Sequence, residues 1–377
     1  MRRRPLHLSF SACHGDGGIA FAVADLLHAQ QYRGLFSRWL TADRYPLISR
    51  DRNLRDAVLS LNPNVIHCHG LWRSHTRIAS QLAVSGLPLV IAPHGMLDPW
   101  AIALSSWKKE IVWQLWEERS LRSAFCLHAL CESEAQSIRA KISDVPIAII
   151  PNGVELPTSR DNSHKTVVGL PWADDIPSGE KILLFLGRYH LKKGIEPLMS
   201  AWQSVLSQAK QEGWWLVFIG FGDDNKFVSQ LKTFPVERCR AYGPVFGDLK
   251  SLVYEHADAF ILPSYSEGLP MAALEAMAYG LPCLLSTACN LPEAFCCGAA
   301  IESNPDPSSL VEALSSLFGM SEYSRRLKGQ AGYELVKNQF SWQHVAEMTD
   351  YLYGWLQGDS REQPSCLWSG CDPRGRE

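Results

Sequence analysis

No Asp-x-Asp pair occurs in this chain, none of its 11 cysteines stands in a C-x-x-C spacing, and no G-x-G-x-x-G follows a strand-like run. The first absence removes one common signal for a bound divalent cation, and the second argues against a zinc or dithiol centre. The cysteines read instead as buried thiols of a reducing compartment. The third absence speaks against the common dinucleotide fingerprint. No apolar run approaches the roughly 18 residues that a membrane span requires. The opening Met1-Arg2-Arg3-Arg4 and the following LHLSFSAC are too brief for a secretory leader, and His7 interrupts their apolar part.

What is present is an ordinary globular composition, 46% hydrophobic and 20% charged over 377 residues, enough for two domains with sizeable cores. The net charge of −3 hides a division: residues 1–165 carry 19 Lys and Arg against 14 Asp and Glu, and the remainder carries 17 against 25. A basic front half fits an anionic substrate or surface, and it fits equally a solvated charge distribution with no partner.

Short apolar runs alternate with segments of helical length. They are Leu6 to Phe10, Leu35 to Leu40, Val65 to His69, Leu87 to Pro93, Phe125 to Leu130 and Ile147 to Pro151. After a stretch rich in Pro, Ser, Asn and Asp (Glu155 to Glu180), a second series follows: Ile182 to Gly187, Trp215 to Gly220, Cys239 to Gly243, Ala259 to Pro263 and Pro282 to Ser286. The alternation predicts two doubly wound parallel sheets, an α/β architecture of two Rossmann-like domains facing across a cleft. The expected boundaries are 1–165 and 166–340, then an amphipathic helix over 341–357 and a polar, disordered tail over 358–377.

In such sheets ligands bind beyond the carboxyl ends of the strands. Several polar residues fall there. Gly17-Gly18 follows the first strand and opens a helix, a pattern that serves either a tight turn or close approach to an anion. His67, His69 and His94 each lie at or near a strand end beside glycine, where a histidine is either a structural hydrogen-bonder or a functional group. In the second series Arg188 and Lys193 follow Phe185-Leu186-Gly187, and Gly220-Phe221-Gly222 ends the next strand. The stretch SYSEGLPMAALEAMAYG, Ser264 to Gly280, places Glu267 in a turn-rich loop and Glu275 inside an apolar helix. An ionised group in that helix is costly unless something hydrogen-bonds it, so Glu275 implies either a ligand or a neighbouring Lys or Arg. Trp100 to Ser123 interleaves four Trp with Lys108, Lys109, Arg119 and Arg122, as a helix packed into its domain or laid on an anionic membrane surface.

Taken together, the Gly17-Gly18 loop, APHGMLDPWA (92–101), IPNGV (150–154), GRYHLKKG (187–194), GFG (220–222) and SEGLPMAALEAMAYGLP resemble the retaining glycosyltransferases of family 4. The resemblance runs to about residue 357 and implies the two-domain architecture called GT-B. It implies that Arg188 and Lys193 bind the diphosphate of a nucleotide-sugar donor and stabilise the leaving group, with the amides of Gly17 and Gly18 assisting. Glu275 would hold ribose hydroxyls and Glu267 the donor sugar, while Gly268 and Leu269 position sugar and phosphates. The base would lie near Val245, and His94 near the sugar being transferred.

The expected catalytic set is thus Arg188, Lys193, His94 and Glu267. No metal and no cofactor beyond the co-substrate is expected, and no nucleic-acid partner. The acceptor would be a glycan or lipid-linked glycan in polysaccharide assembly, met by a cytoplasmic protein that can touch the inner face of the membrane through its N-terminal domain. Sugar-nucleotide epimerisation on the same fold, or a catalytically inactive nucleotide- or glycan-binding member, are the alternatives.

Overall fold

The computed structural model describes residues 3–13, 18–103, 106–157, 169–222 and 236–370. Two compact units emerge, Met1–Gly153 together with Trp342–Glu377, and Val154–Ser341.

The first unit holds β1 (Pro5–Ser9), β2 (Arg38–Thr41), β3 (Val65–His69), β4 (Leu89–Ala92), β5 (Cys126–Ala129) and β6 (Ile147–Ile149) in one parallel sheet, ordered β2-β1-β3-β4-β5-β6. Helices cover parallel strands on both faces, so these strands are buried and read as short apolar runs. The winding direction reverses between β1 and β3, which pair with His7 opposite His67 and Ser9 opposite His69. Helix Trp342–Leu356 lies in this unit, where Val345, Ala346, Leu352 and Tyr353 share a core with Ala22, Leu26 and Ala29 of helix Gly18–Tyr32.

Residues 358–370 depart from the disordered tail expected from their polarity. The Ile149 amide donates to Cys366 at 2.8 Å, the Trp368 amide donates to Ile147 at 2.8 Å, and Leu367 bridges Ala148 in antiparallel sense. Cys366, Leu367 and Trp368 are a short apolar patch that caps the open edge of β6, and capping an edge satisfies backbone groups that would otherwise need water. Residues 371–377 lie outside the described residues.

The second unit holds β7 (Lys181–Leu186), β8 (Trp214–Ile219), β9 (Cys239–Tyr242), β10 (Ala259–Leu262), β11 (Cys283–Leu285) and β12 (Ala300–Glu302), ordered β12-β11-β10-β7-β8-β9 and again parallel. Counted within the unit, this is the six-stranded order of dinucleotide-binding folds, with its switch between β7 and β10. The strand β12 was not among the sequence-based expectations; at three residues, Ala-Ile-Glu, it carries too little pattern to register. The linker stretch is not a bare connection, since Leu170, Trp172 and Ile176 are buried in the core of this unit. All ten described cysteines are free thiols.

Candidate functional site

At the switch point of the second sheet, the loop after β7 and the loop after β10 are locked together by backbone. Gly194 takes φ +66°, and a Cβ there would stand 2.0 Å from the Pro263 carbonyl oxygen, so only glycine lets the two strands' exits come this close. The Tyr265 amide donates to the Lys192 carbonyl at 2.7 Å. This contact carries Lys193 to Glu267: Nζ lies 2.6 Å from Oε1, and Ser264 Oγ donates to the same oxygen at 2.5 Å. The Glu267 backbone is held as well, its amide donating to Ala288 at 3.0 Å and its carbonyl accepting from Asn290 Nδ2 at 2.5 Å. Ser264 opens the stretch that carries Glu267 but was given no role from the sequence, and Asn290 was not singled out, because it belongs to no charged or glycine-rich signal.

A second lock joins the exits of β7, β8 and β9. Gly220 would drive a Cβ to 1.8 Å from the Gly187 carbonyl oxygen. Tyr189 pairs with Gly222 and donates its hydroxyl to the Tyr242 carbonyl at 2.8 Å. Arg188 is exposed at this rim, its guanidinium 5.6 Å over the Phe221 ring. Val245 and Leu269 are half-buried against the core, and Gly268 is exposed, with open space where a Cβ would stand.

Glu275 points out of helix Met271–Ala278 to partners inside the protein: Lys250 Nζ at 2.6 Å and the Tyr254 hydroxyl at 2.8 Å. The neighbouring-lysine reading of this carboxylate therefore holds. Burial, then the Glu275 charge, pushes the Tyr254 hydroxyl well above its usual range, so it stays a donor to that carboxylate.

In the first unit, Gly17 lies outside the described residues and Gly18 begins the helix. His94 follows β4 with φ +54°, a left-handed backbone uncommon outside glycine. The next amide, of Gly95, donates to Glu134 Oε1 at 2.6 Å. His94 belongs to a cluster that the sequence did not reveal. His7 comes from β1, His67 and His69 from the adjacent β3, and His128 from β5, one strand beyond β4, and their periodicity puts all four on one face. Burial pushes His7 and His128 down to about 4 and His67 and His69 well below the usual range, so all four are neutral at pH 7.

Nitrogens of His7, His67 and His69 lie within 4.8 Å of one another, a spacing that a cation could bridge. Protein partners already occupy them, however: His7 is bonded to Gln30 and His69, His67 to Tyr353 and His128, and His69 to His94.

The segment from Trp100 to Arg122 is helical throughout its described residues. It comprises Pro99–Ala103 and then, in unbroken succession, Ser106–Val112, a π turn at Trp113–Glu117 and Glu118–Arg122; residues 104–105 lie outside the described residues. The π turn buries Glu117, which accepts from the Trp72 amide at 2.8 Å and from Thr76 Oγ1 at 3.2 Å. Burial pushes its carboxyl up to about 7. Beside it a cavity of about 450 Å³ is lined by Trp72, Trp107, Trp113, Lys109 and Lys141.

Two units with these sheet orders and strand-exit loops define a GT-B enzyme fold. Residues 170–333 match the family described as glycosyl transferases group 1, and residues 22–153 match the glycosyl transferase 4-like domain. The chain belongs to this group of glycosyltransferases. It is 26% identical over 308 residues to a glycosyltransferase of Methanocaldococcus jannaschii, covering 77% of this chain and 75% of that one. It is 25% identical over 317 residues to a glycogen synthase of Mycobacterium tuberculosis, covering 81% and 72%. Among solved structures, Anabaena HepE in complex with UDP and glucose superposes with a TM-score of 0.70 at 15% identity, covering 94% of this chain and 100% of that chain.

Proposed function

We propose that this glycosyltransferase moves a sugar, with retention, from a nucleotide-sugar donor to a glycan or lipid-linked glycan acceptor during polysaccharide assembly. The observation that carries the reading is the Lys193–Glu267 contact at the β7/β10 switch, where a cation and a carboxylate are held ready at the strand exits that bind nucleotides in such sheets. Arg188 and Lys193 take the donor diphosphate, Arg188 by a planar fork and Lys193 as a point charge. As the bond from the sugar carbon to the diphosphate oxygen breaks, negative charge grows on that oxygen, and these two cations stabilise it without a metal.

Glu275 exchanges its Lys250 and Tyr254 contacts for ribose hydroxyls, and Glu267 receives hydroxyls of the sugar. Val245 and the Gly268 and Leu269 amides border the base and the phosphates. HepE, named with UDP and glucose, and the relative named glycogen synthase support a nucleotide donor and a glycan acceptor. The acceptor meets the tryptophan- and lysine-lined cavity of the N-terminal unit. Exposed Trp107, Ile111 and Leu115 beside Lys108 suit contact with an anionic membrane; among the described residues no helix is long and apolar enough to cross one.

The test is calorimetric binding of UDP-, GDP- and ADP-sugars, without added metal, to the wild type and to Glu275→Ala. One donor class that binds and is lost in the variant is the expected result. No binding to any donor, with or without acceptor, overturns the reading.

A further inference from the structure

The buried histidines can be followed proton by proton, because the chain of bonds ends on groups whose roles admit no choice. A carbonyl only accepts, so His128, with Nε2 2.6 Å from the Ile150 oxygen, carries its proton on Nε2 and leaves Nδ1 bare. His67 Nε2, 3.0 Å from that Nδ1, must then donate, and its own Nδ1 accepts from the Tyr353 hydroxyl at 2.7 Å. The Tyr353 oxygen in turn faces Gln30 Nε2 at 3.4 Å.

Thr349 orients the same amide. Its hydroxyl proton is given to the Ala346 carbonyl at 3.0 Å, so it accepts from Gln30 Nε2 at 3.2 Å. Gln30 Oε1 is therefore the acceptor, receiving Ser37 Oγ at 2.7 Å and His7 Nε2 at 2.8 Å. With its proton on Nε2, His7 offers a bare Nδ1 to His69 Nε2 at 2.9 Å. His69 then donates there and accepts at Nδ1 from His94 Nε2 at 3.0 Å. Two independent ends, Ile150 and Thr349, give one consistent assignment for Gln30.

We propose that this buried relay locks His94 as its Nε2–H tautomer, so that His94 presents a bare Nδ1 lone pair and recognises a ligand hydroxyl as an acceptor, never as a donor. Nδ1 has no hydrogen-bond partner among the described residues, and His94 is the only imidazole of the five joined in this relay that is not fully enclosed. His69, His7 and Gln30 are thus positioning residues, acting on His94 through one, two and three bonds. That the hydroxyl belongs to a sugar rests on the glycosyl-transfer reading; the tautomer does not.

The test uses the full chain with ring-¹⁵N histidine and long-range proton–nitrogen NMR, His94 being assigned by its loss in His94→Asn. Expected in the wild type are a protonated Nε2 and a pyridine-like Nδ1 at His94. In His7→Leu, which touches His69 but not His94, the His94 Nδ1 signal moves toward the average of both tautomers. In His7→Asn, whose Oδ1 stands in for the lost acceptor, it returns.

His69→Leu and His69→Asn repeat the comparison one bond nearer, should the outer pair fail to fold. A protonated Nδ1 in the wild type, or a His94 tautomer indifferent to all four substitutions, overturns the lock. So does a joint shift of His7, His67 and His69 on adding zinc, which would mark a metal site. Addition of the nucleotide sugar that binds best then reads the role: an upfield shift of His94 Nδ1 shows that it accepts a proton from the ligand, and an unchanged shift with donor bound removes the hydroxyl-recognition half of the proposal.

Discussion

Lys193 and Glu267 lie 74 positions apart in the chain and meet at 2.6 Å, with Ser264 closing on the same carboxylate oxygen. Neither side chain is held by its own loop alone: the Gly194–Pro263 approach sets their separation. The lysine charge is thereby paired with a carboxylate, and on the proposed reading a donor diphosphate competes with Glu267 for it.

If Lys193 meets the leaving oxygen as proposed, replacing it by Ala is expected to lower turnover about 10²- to 10³-fold, the loss typical of one transition-state donor. Lys193→Arg keeps charge but not the point geometry and recovers only part. Glu267→Gln frees the lysine, so donor affinity is expected to rise or hold while kcat falls. Steady-state kinetics with the donor found by calorimetry separate the two effects; equal losses in kcat/KM with unchanged kcat would assign both residues to ground-state binding.

Glu275→Ala should weaken donor binding by about 10- to 100-fold, since charge-assisted hydrogen bonds contribute about 1.5–3 kcal/mol each. It also leaves the buried Tyr254 hydroxyl with only the Ala272 carbonyl at 3.2 Å. A fall in Tm therefore accompanies the lost binding. Tyr254→Phe is the control, lowering Tm with donor affinity retained.

Stability should decline on acidification below neutrality. Histidines 7, 67, 69, 75, 94 and 128 all titrate lower in the folded chain than unfolded, chiefly through burial. The unfolded chain binds their protons first, so the stabilisation is complete above about pH 6.5. It drains as pH falls toward 4, where His7, His75 and His128 take up protons in the folded chain. Glu117 and Glu134 run the other way, their raised carboxyls favouring the fold at low pH and losing that contribution as pH rises, for Glu117 toward 7. Six imidazoles outweigh two carboxyls. Urea midpoints at pH 7.5, 6 and 5 check the sign, and a midpoint that rises on acidification contradicts it.

Truncation after residue 357 should lower Tm rather than leave it unchanged, because it strips the β6 edge of the backbone bonds to Cys366 and Trp368. Leu367→Asp in the full chain is expected to act like the truncation, and a thermal melt of the three proteins decides.

Parallel strands buried on both faces must be apolar, and helices between them must be amphipathic; these demands are local, so two doubly wound units could be read from the order of runs alone. The same locality made Gly194, Gly220, Arg188, Lys193, Glu267 and Glu275 legible, since each sits at the end of a recognisable strand or in a helix with a stop signal.

What the chain order left hidden is what depends on strand pairing. His7 reads as an odd residue in an apolar run until β1 pairs with β3 and sets it opposite His67. Gln30 and Tyr353 are unremarkable until two helices 319 and more positions apart share one core. The edge role of Cys366 to Trp368 likewise exists only once β6 presents unpaired backbone to them. Periodicity reports which face of an element is buried, whereas the partner that satisfies a buried polar group comes from a distant part of the chain. That choice belongs to the tertiary structure.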